Sequence, residues 1–129
     1  MITVIRQKNR GTNFLREIKT IQQLQNWGQE IHEVTSENLS PQLLVEVLRW
    51  TQGGFDDIVV NHPQSMELKA LKKQCYTLQF NQALEFIMSH PELLRTPIIL
   101  ENDKLLVGYN EEEIRAFIPR LFKNVVVSH

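Results

Sequence analysis

The chain has 129 residues, 42% of them hydrophobic and 22% charged, a balance that excludes a disordered polyelectrolyte and supplies enough apolar side chains for one globular core. Its formal net charge of −1 excludes a polycation held to nucleic acid by counterion release alone, so any nucleic-acid contact has to be local. The one cysteine, Cys75, allows no intrachain disulfide; "MITVIRQKNR" carries no apolar leader and no run of about eighteen apolar residues follows it, which points to a cytoplasmic protein that neither spans nor enters a membrane.

Taken in chain order, Ile2 to Arg6 is short and β-branched and predicts a strand, with the polar "QKNRGTN" as the loop after it. From Phe14 the apolar positions Leu15, Ile18, Ile21, Leu24 and Trp27 recur at helical spacing, with Thr12 or Asn13 as the N-cap and Gly28 just past the end. "EIHEVT" predicts a second strand, and "NLSPQLLVEVLRWTQGG" a second helix capped by Ser40, with Pro41 at its first position and Gly53 and Gly54 as its stop. This β-α-β-α order implies that the two strands pair in parallel through a right-handed crossover. "SMELKALKKQCY" then gathers Leu68, Leu71 and Cys75 on one helical face, leaving "KALKKQ" as its exposed basic side, and "FNQALEFIMSH" gathers Leu84, Ile87 and Met88 before Pro91 interrupts it.

The stretch "RTPIILENDKLLVGYNEEEI" places Pro97 at the head of a strand over Ile98 to Leu100. "ENDK" turns the chain, Leu105 to Val107 returns as the antiparallel partner, and Asn110 is expected to cap a helix whose first turn carries Glu111, Glu112 and Glu113, with Glu113 in a capping box. A β-α-β-α half followed by helices and a β-β-α half, with a proline heading the third strand, suggests an α/β protein of the thioredoxin architecture. One such domain is expected over residues 1–129, with a helical insertion at approximately 55–92. In that architecture the strand-heading proline is cis and lies beside the start of the first helix, so Pro97 is the cis-proline candidate.

The segment "HPELLRTPIILENDKLLVGYNEEEIRAFIPR", and "VGYNEEEIRAFIPR" most specifically, resembles the corresponding part of the Spx-type regulators, which form an arsenate reductase-like (ArsC) branch of the thioredoxin fold. "LRWTQGGFDDIV" and "MITVI" extend the resemblance more loosely over nearly all the chain. It implies a transcriptional regulator that binds the C-terminal domain of the RNA polymerase α subunit, touching promoter DNA only within that complex. Two departures bear on mechanism. Where the family carries a CxxC switch, or an arsenate reductase its nucleophile, this chain reads "NRGTN" and places Arg10 and Asn13 at the two positions, which are thus degenerate redox positions. Neither forms a thiolate, so a disulfide switch or thiol-based arsenate reduction is excluded at that loop. Before the third strand the family's Arg-Pro pair is Thr96-Pro97, with Arg95 one place earlier, and an arginine of the middle loop is replaced by His62.

The resemblance further implies that Gly54 lies in the polymerase contact; Arg49, about one turn before Gly53, and Trp50 are placed in the chain to flank the same patch, and Arg95 is a further candidate partner-binding residue. A glycine there leaves room for a partner backbone. The plainer alternative is that Gly53 and Gly54 terminate the second helix in a left-handed cap, with Trp50 in the core and Arg49 a solvated charge. The basic group "RQKNR" with Arg16 reads as a solvated loop. The four histidines have no metal-ligand spacing, so no metal or cofactor is expected. Cys75 reads as a buried structural thiol. "VVV" near the C-terminus is consistent with an edge strand, core packing or a dimer contact. The alternatives to a regulator are an arsenate reductase or glutaredoxin-like oxidoreductase using Cys75 or an external thiol, and an inactive paralogue competing for the polymerase site.

Overall fold

The computed structural model describes residues 1–8, 11 and 13–119. Arg10, the alternative cap Thr12 and the "VVV" run lie outside the described residues. The first strand, β1, covers Ile2–Arg6, and the first helix, α1, covers Phe14–Asn26, ending before Gly28 at φ +80°. Strand β2, Ile31–Thr35, pairs in parallel with β1 from Ile2↔Ile31 to Arg6↔Thr35. Helix α2, Pro41–Arg49, starts where Ser40 Oγ accepts the Leu43 N–H at 3.1 Å and Pro41 fills a position that needs no donor.

Three helices follow: α3 (Phe55–Ile58), α4 (Met66–Cys75) and α5 (Phe80–Ser89). Strands β3 (Ile98–Glu101) and β4 (Lys104–Val107) complete a four-stranded sheet in the order β2-β1-β3-β4, in which β3 runs antiparallel to both neighbours. Glu101 and Lys104 are already paired in the hairpin, so only Asn102 and Asp103 turn the chain, with Asn102 at φ 54° where asparagine is tolerated.

The strand alternation sends side chains to two layers. Ile5, Ile98 and Leu100 face a core shared with α2 to α5, including Leu44, Val47, Ile58, Leu84 and Ile87. Val4, Ile99 and Leu106 face the opposite core with Ile21 and Leu24 of α1 and with Ile114 and Phe117. A sheet buried on both faces by helices is the expected solution for a β-α-β-α chain.

The structure corrects three expectations. The inward face of α1 is turned relative to the apolar spacing: Leu15 is 80% exposed, and the buried positions are Glu17, Thr20, Ile21 and Leu24. The segment after Asn110 is a 3-10 turn over Glu113–Phe117 rather than an α-helix. Asn110 Oδ1 does accept the N–H groups of Glu112 and Glu113, both at 2.9 Å, but Ile118, held extended by Pro119, ends the segment after one short 3-10 stretch. Finally, α2 ends at Arg49 with Trp50 as its cap, four residues before Gly54, so the glycines are not its left-handed stop.

Candidate functional site

Two places gather the candidate functional residues, and both are set by where strands and helices end. At the first, β1 leaves the sheet toward the start of α1, beside β3. The Ile5↔Ile98 pair puts Pro97 next to this exit. Its Thr96–Pro97 bond is cis, and its carbonyl accepts the Gly108 N–H at 2.7 Å. Asn13, half-buried, is the N-cap residue of α1 and makes no side-chain cap bond. One helical turn on, Glu17 is fully buried; its Oε2 accepts the Gln7 N–H at 2.9 Å, tying the end of β1 to the first turn of α1, where the helix dipole favours a carboxylate.

Gln7, Asn13 and Glu17 border a cavity of about 870 Å³ whose far wall is the 60–65 loop and the 91–95 segment. Backbone bonds Val60 N–H to Leu93 O and Arg95 N–H to Ile58 O, both 2.8 Å, hold those two segments together. Arg95 thus lines the cavity, and its Nη1 donates to the Asp57 carbonyl at 3.2 Å. His62 is exposed at the cavity rim. Among the described residues no group of His, Cys, Asp and Glu gathers that could hold a metal ion.

The second place is the turn between α2 and α3. Gly54 has φ +66° and ψ −131°, a region open to glycine and strained for other residues, and a Cβ built there meets nothing within 4 Å. The turn is organised by its neighbours. Thr51 Oγ1 donates to the Leu48 carbonyl at 2.7 Å and accepts the Gly54 N–H at 3.1 Å. Asp57 Oδ2 accepts the N–H groups of Gln52 and Gly53 at 3.0 and 2.8 Å.

Around the turn the surface is aromatic. Trp50, expected in the core by the plainer reading, is 41% exposed, with its indole N–H on Glu46 at 3.1 Å; one turn of helix beyond the last buried α2 residue, it has no apolar layer to enter. Arg49 is exposed and loosely paired with Glu46 at 3.7 Å. Phe55 packs on Phe80 with ring centroids 5.4 Å apart, and Phe80 and Tyr76 are largely exposed. Gly53, Phe55, Asp56 and Tyr76 wall a depression of about 280 Å³ floored by Cys75 and Ala83. Burial pushes the Cys75 thiol pKa up, so it is a poor thiolate.

Arg49 and Trp50 are exposed at the end of α2 and meet Glu46, Gly54 lies in the turn that follows, and Arg95 lines the cavity and reaches the turn segment through the Asp57 carbonyl. Sequence reasoning missed Asp57 and Glu17. The signal for Asp57 was an acidic residue following a Gly-Gly pair at a helix start; for Glu17 it was the i, i+4, i+7 relation to Ile21 and Leu24.

Comparison with known proteins gives a consistent picture. The ArsC family pattern matches residues 8–117. The global transcriptional regulator Spx of Listeria innocua is 41% identical over 87 residues, 67% of this chain and 65% of that protein, so the match spans just under two thirds of the relative. The Spx regulator of Streptococcus agalactiae is 33% identical over 94 residues, 73% of this chain and 67% of its own. Among solved structures, a Staphylococcus aureus protein superposes with a TM-score of 0.69 at 19% identity, over 90% of this chain and 97% of that one. An arsenate reductase related protein from Brucella melitensis superposes with a TM-score of 0.56 at 16% identity, over 89% and 92%. These last likenesses bear on the fold, which is thioredoxin-like. With the family pattern covering most of the residues and the Spx regulators matching the same core, the chain belongs to the ArsC family, on its Spx-like side.

Proposed function

We propose that this protein is a non-enzymatic, cytoplasmic, Spx-like transcriptional regulator that docks on the C-terminal domain of the RNA polymerase α subunit without a thiol redox switch. One observation carries the docking surface: an open glycine turn, fixed by Asp57 and Thr51, follows exposed Trp50 in the chain and adjoins a depression walled by Gly53, Phe55 and exposed Tyr76, with exposed Phe80 packed on Phe55. Partly exposed aromatics and arginine beside a rigid turn are the composition of a protein-binding patch, and the missing Cβ at Gly54 lets a partner backbone approach closely. Arg49 supplies a charge at the edge; Arg95 positions the turn. Promoter DNA is contacted only within the complex.

The reading is tested by titrating the isolated C-terminal domain of the polymerase α subunit into the purified chain, with and without reductant. Equal affinity in both conditions is expected, because Arg10 and Asn13 stand where a disulfide would form. Gly54→Arg should abolish binding. Because any side chain at this positive φ strains the turn, Gly54→Ala is the necessary control, and it should bind more tightly than Gly54→Arg. Absence of binding by the unmodified chain in both conditions would remove this function.

A further inference from the structure

Glu17 is the one charged side chain among the described residues that is buried from solvent, and its hydrogen bonding is half complete. Oε2 holds the Gln7 N–H, while Oε1 has no donor. Buried polar atoms are nearly always matched, and a carboxylate more than most, because removing its charge from water is unfavourable unless a donor or an opposite charge replaces the water. Glu17 forms part of the wall of the cavity of about 870 Å³, which falls in the size range of small-molecule sites.

Among the described residues, the other charged groups of that wall each have an ion-pair or hydrogen-bonding partner or face solvent. Glu37 pairs with Lys8 at 3.0 Å and Glu92 with His90 at 3.4 Å. Arg95 is engaged with the Asp57 carbonyl, and Arg16 is exposed, where solvent and salt screen it. Val60, Leu68 and Leu94 supply an aliphatic side to the same space.

We infer that this cavity binds a small aliphatic molecule carrying an ammonium or guanidinium head group. The head group's N–H donors complete Glu17 Oε1 and its positive charge offsets the buried carboxylate, while the alkyl part lies against Val60, Leu68 and Leu94. An anion would meet a buried negative charge, and a neutral alcohol would supply a donor without the charge. The site is separate from the polymerase surface and stands or falls independently of it.

The test is an amide-resolved NMR titration of the full chain with agmatine and with putrescine, using n-butanol as the neutral control. Saturable shifts at the amides of Gln7, Ser36 and Leu68 are expected with at least one cation and none with n-butanol. The tighter cation tells guanidinium from ammonium. Glu17→Gln, which keeps the shape and removes the charge, should weaken binding by about tenfold or more. No saturable shift at those amides up to about 10 mM of either cation would overturn the proposal, and this readout needs no variant to fold. So would equal affinity in folded Glu17→Gln, or a lone water on Oε1 in crystals grown with agmatine.

Discussion

Cys75 ends α4 with 2% of its surface exposed, packed in the core under the aromatic depression beside the glycine turn. Burial raises its pKa because the thiolate would lose hydration that nothing nearby replaces. Below the ordinary thiol value, about 8.5, the group is neutral whether the chain is folded or unfolded. As pH rises past that value the unfolded chain gives up a proton that the folded chain keeps, so stability falls toward the raised folded value. Urea unfolding should therefore show stability declining from about pH 8 to about pH 10 more steeply in the natural chain than in Cys75→Ala. An aromatic disulfide reagent should label Cys75 slowly in the folded chain and fast in urea. Rapid labelling of the folded chain would contradict a buried thiol.

At the level of elements, the turn joining α2 to α3 owes its shape to side chains more than to its glycines. Gly54 permits the backbone conformation, but Asp57 fixes it by accepting two N–H groups from the residues just before it. A Cβ at Gly53 would lie 2.7 Å from Asp57 Oδ1, so the first glycine makes room for the carboxylate while the second supplies the positive φ. Asp57→Ala is expected to cost about 1–3 kcal/mol in urea unfolding, since both donors lose a charged acceptor. Hydrogen exchange should speed up at Gln52 and Gly53, and binding to the polymerase α subunit should weaken although Asp57 touches no partner in the proposed docking. Unchanged exchange at both amides would show that the carboxylate does not hold the turn.

At the scale of the molecule, the sheet and its two cores keep the architecture of an arsenate reductase relative while the chain has no sulfur where that chemistry needs it. Arsenate reduction by the thiol route begins with a thiolate attacking arsenic, and at the start of α1 the chain offers Asn13 and Glu17 instead. The purified protein is expected to give no arsenate-dependent turnover above buffer with glutathione and a thiol-regenerating system. Turnover that disappears in Cys75→Ser would restore the enzyme reading, since Cys75 is the only thiol in the chain.

Much of this was legible in the sequence. Strand and helix order followed from period-two and helical spacing, the start of α2 from Ser40 and Pro41, the β3–β4 hairpin from its polar turn, and the loss of thiol chemistry from residue identity alone. These are properties of short stretches, set by local sterics and local hydrogen bonding. What the tertiary structure decided was orientation and burial. It turned Glu17 inward and Leu15 outward, left Trp50 at the surface, and ended α2 before its glycines. Those outcomes depend on which faces meet across distant segments, and a side chain's exposure is fixed by its neighbours in space, which one sequence does not list.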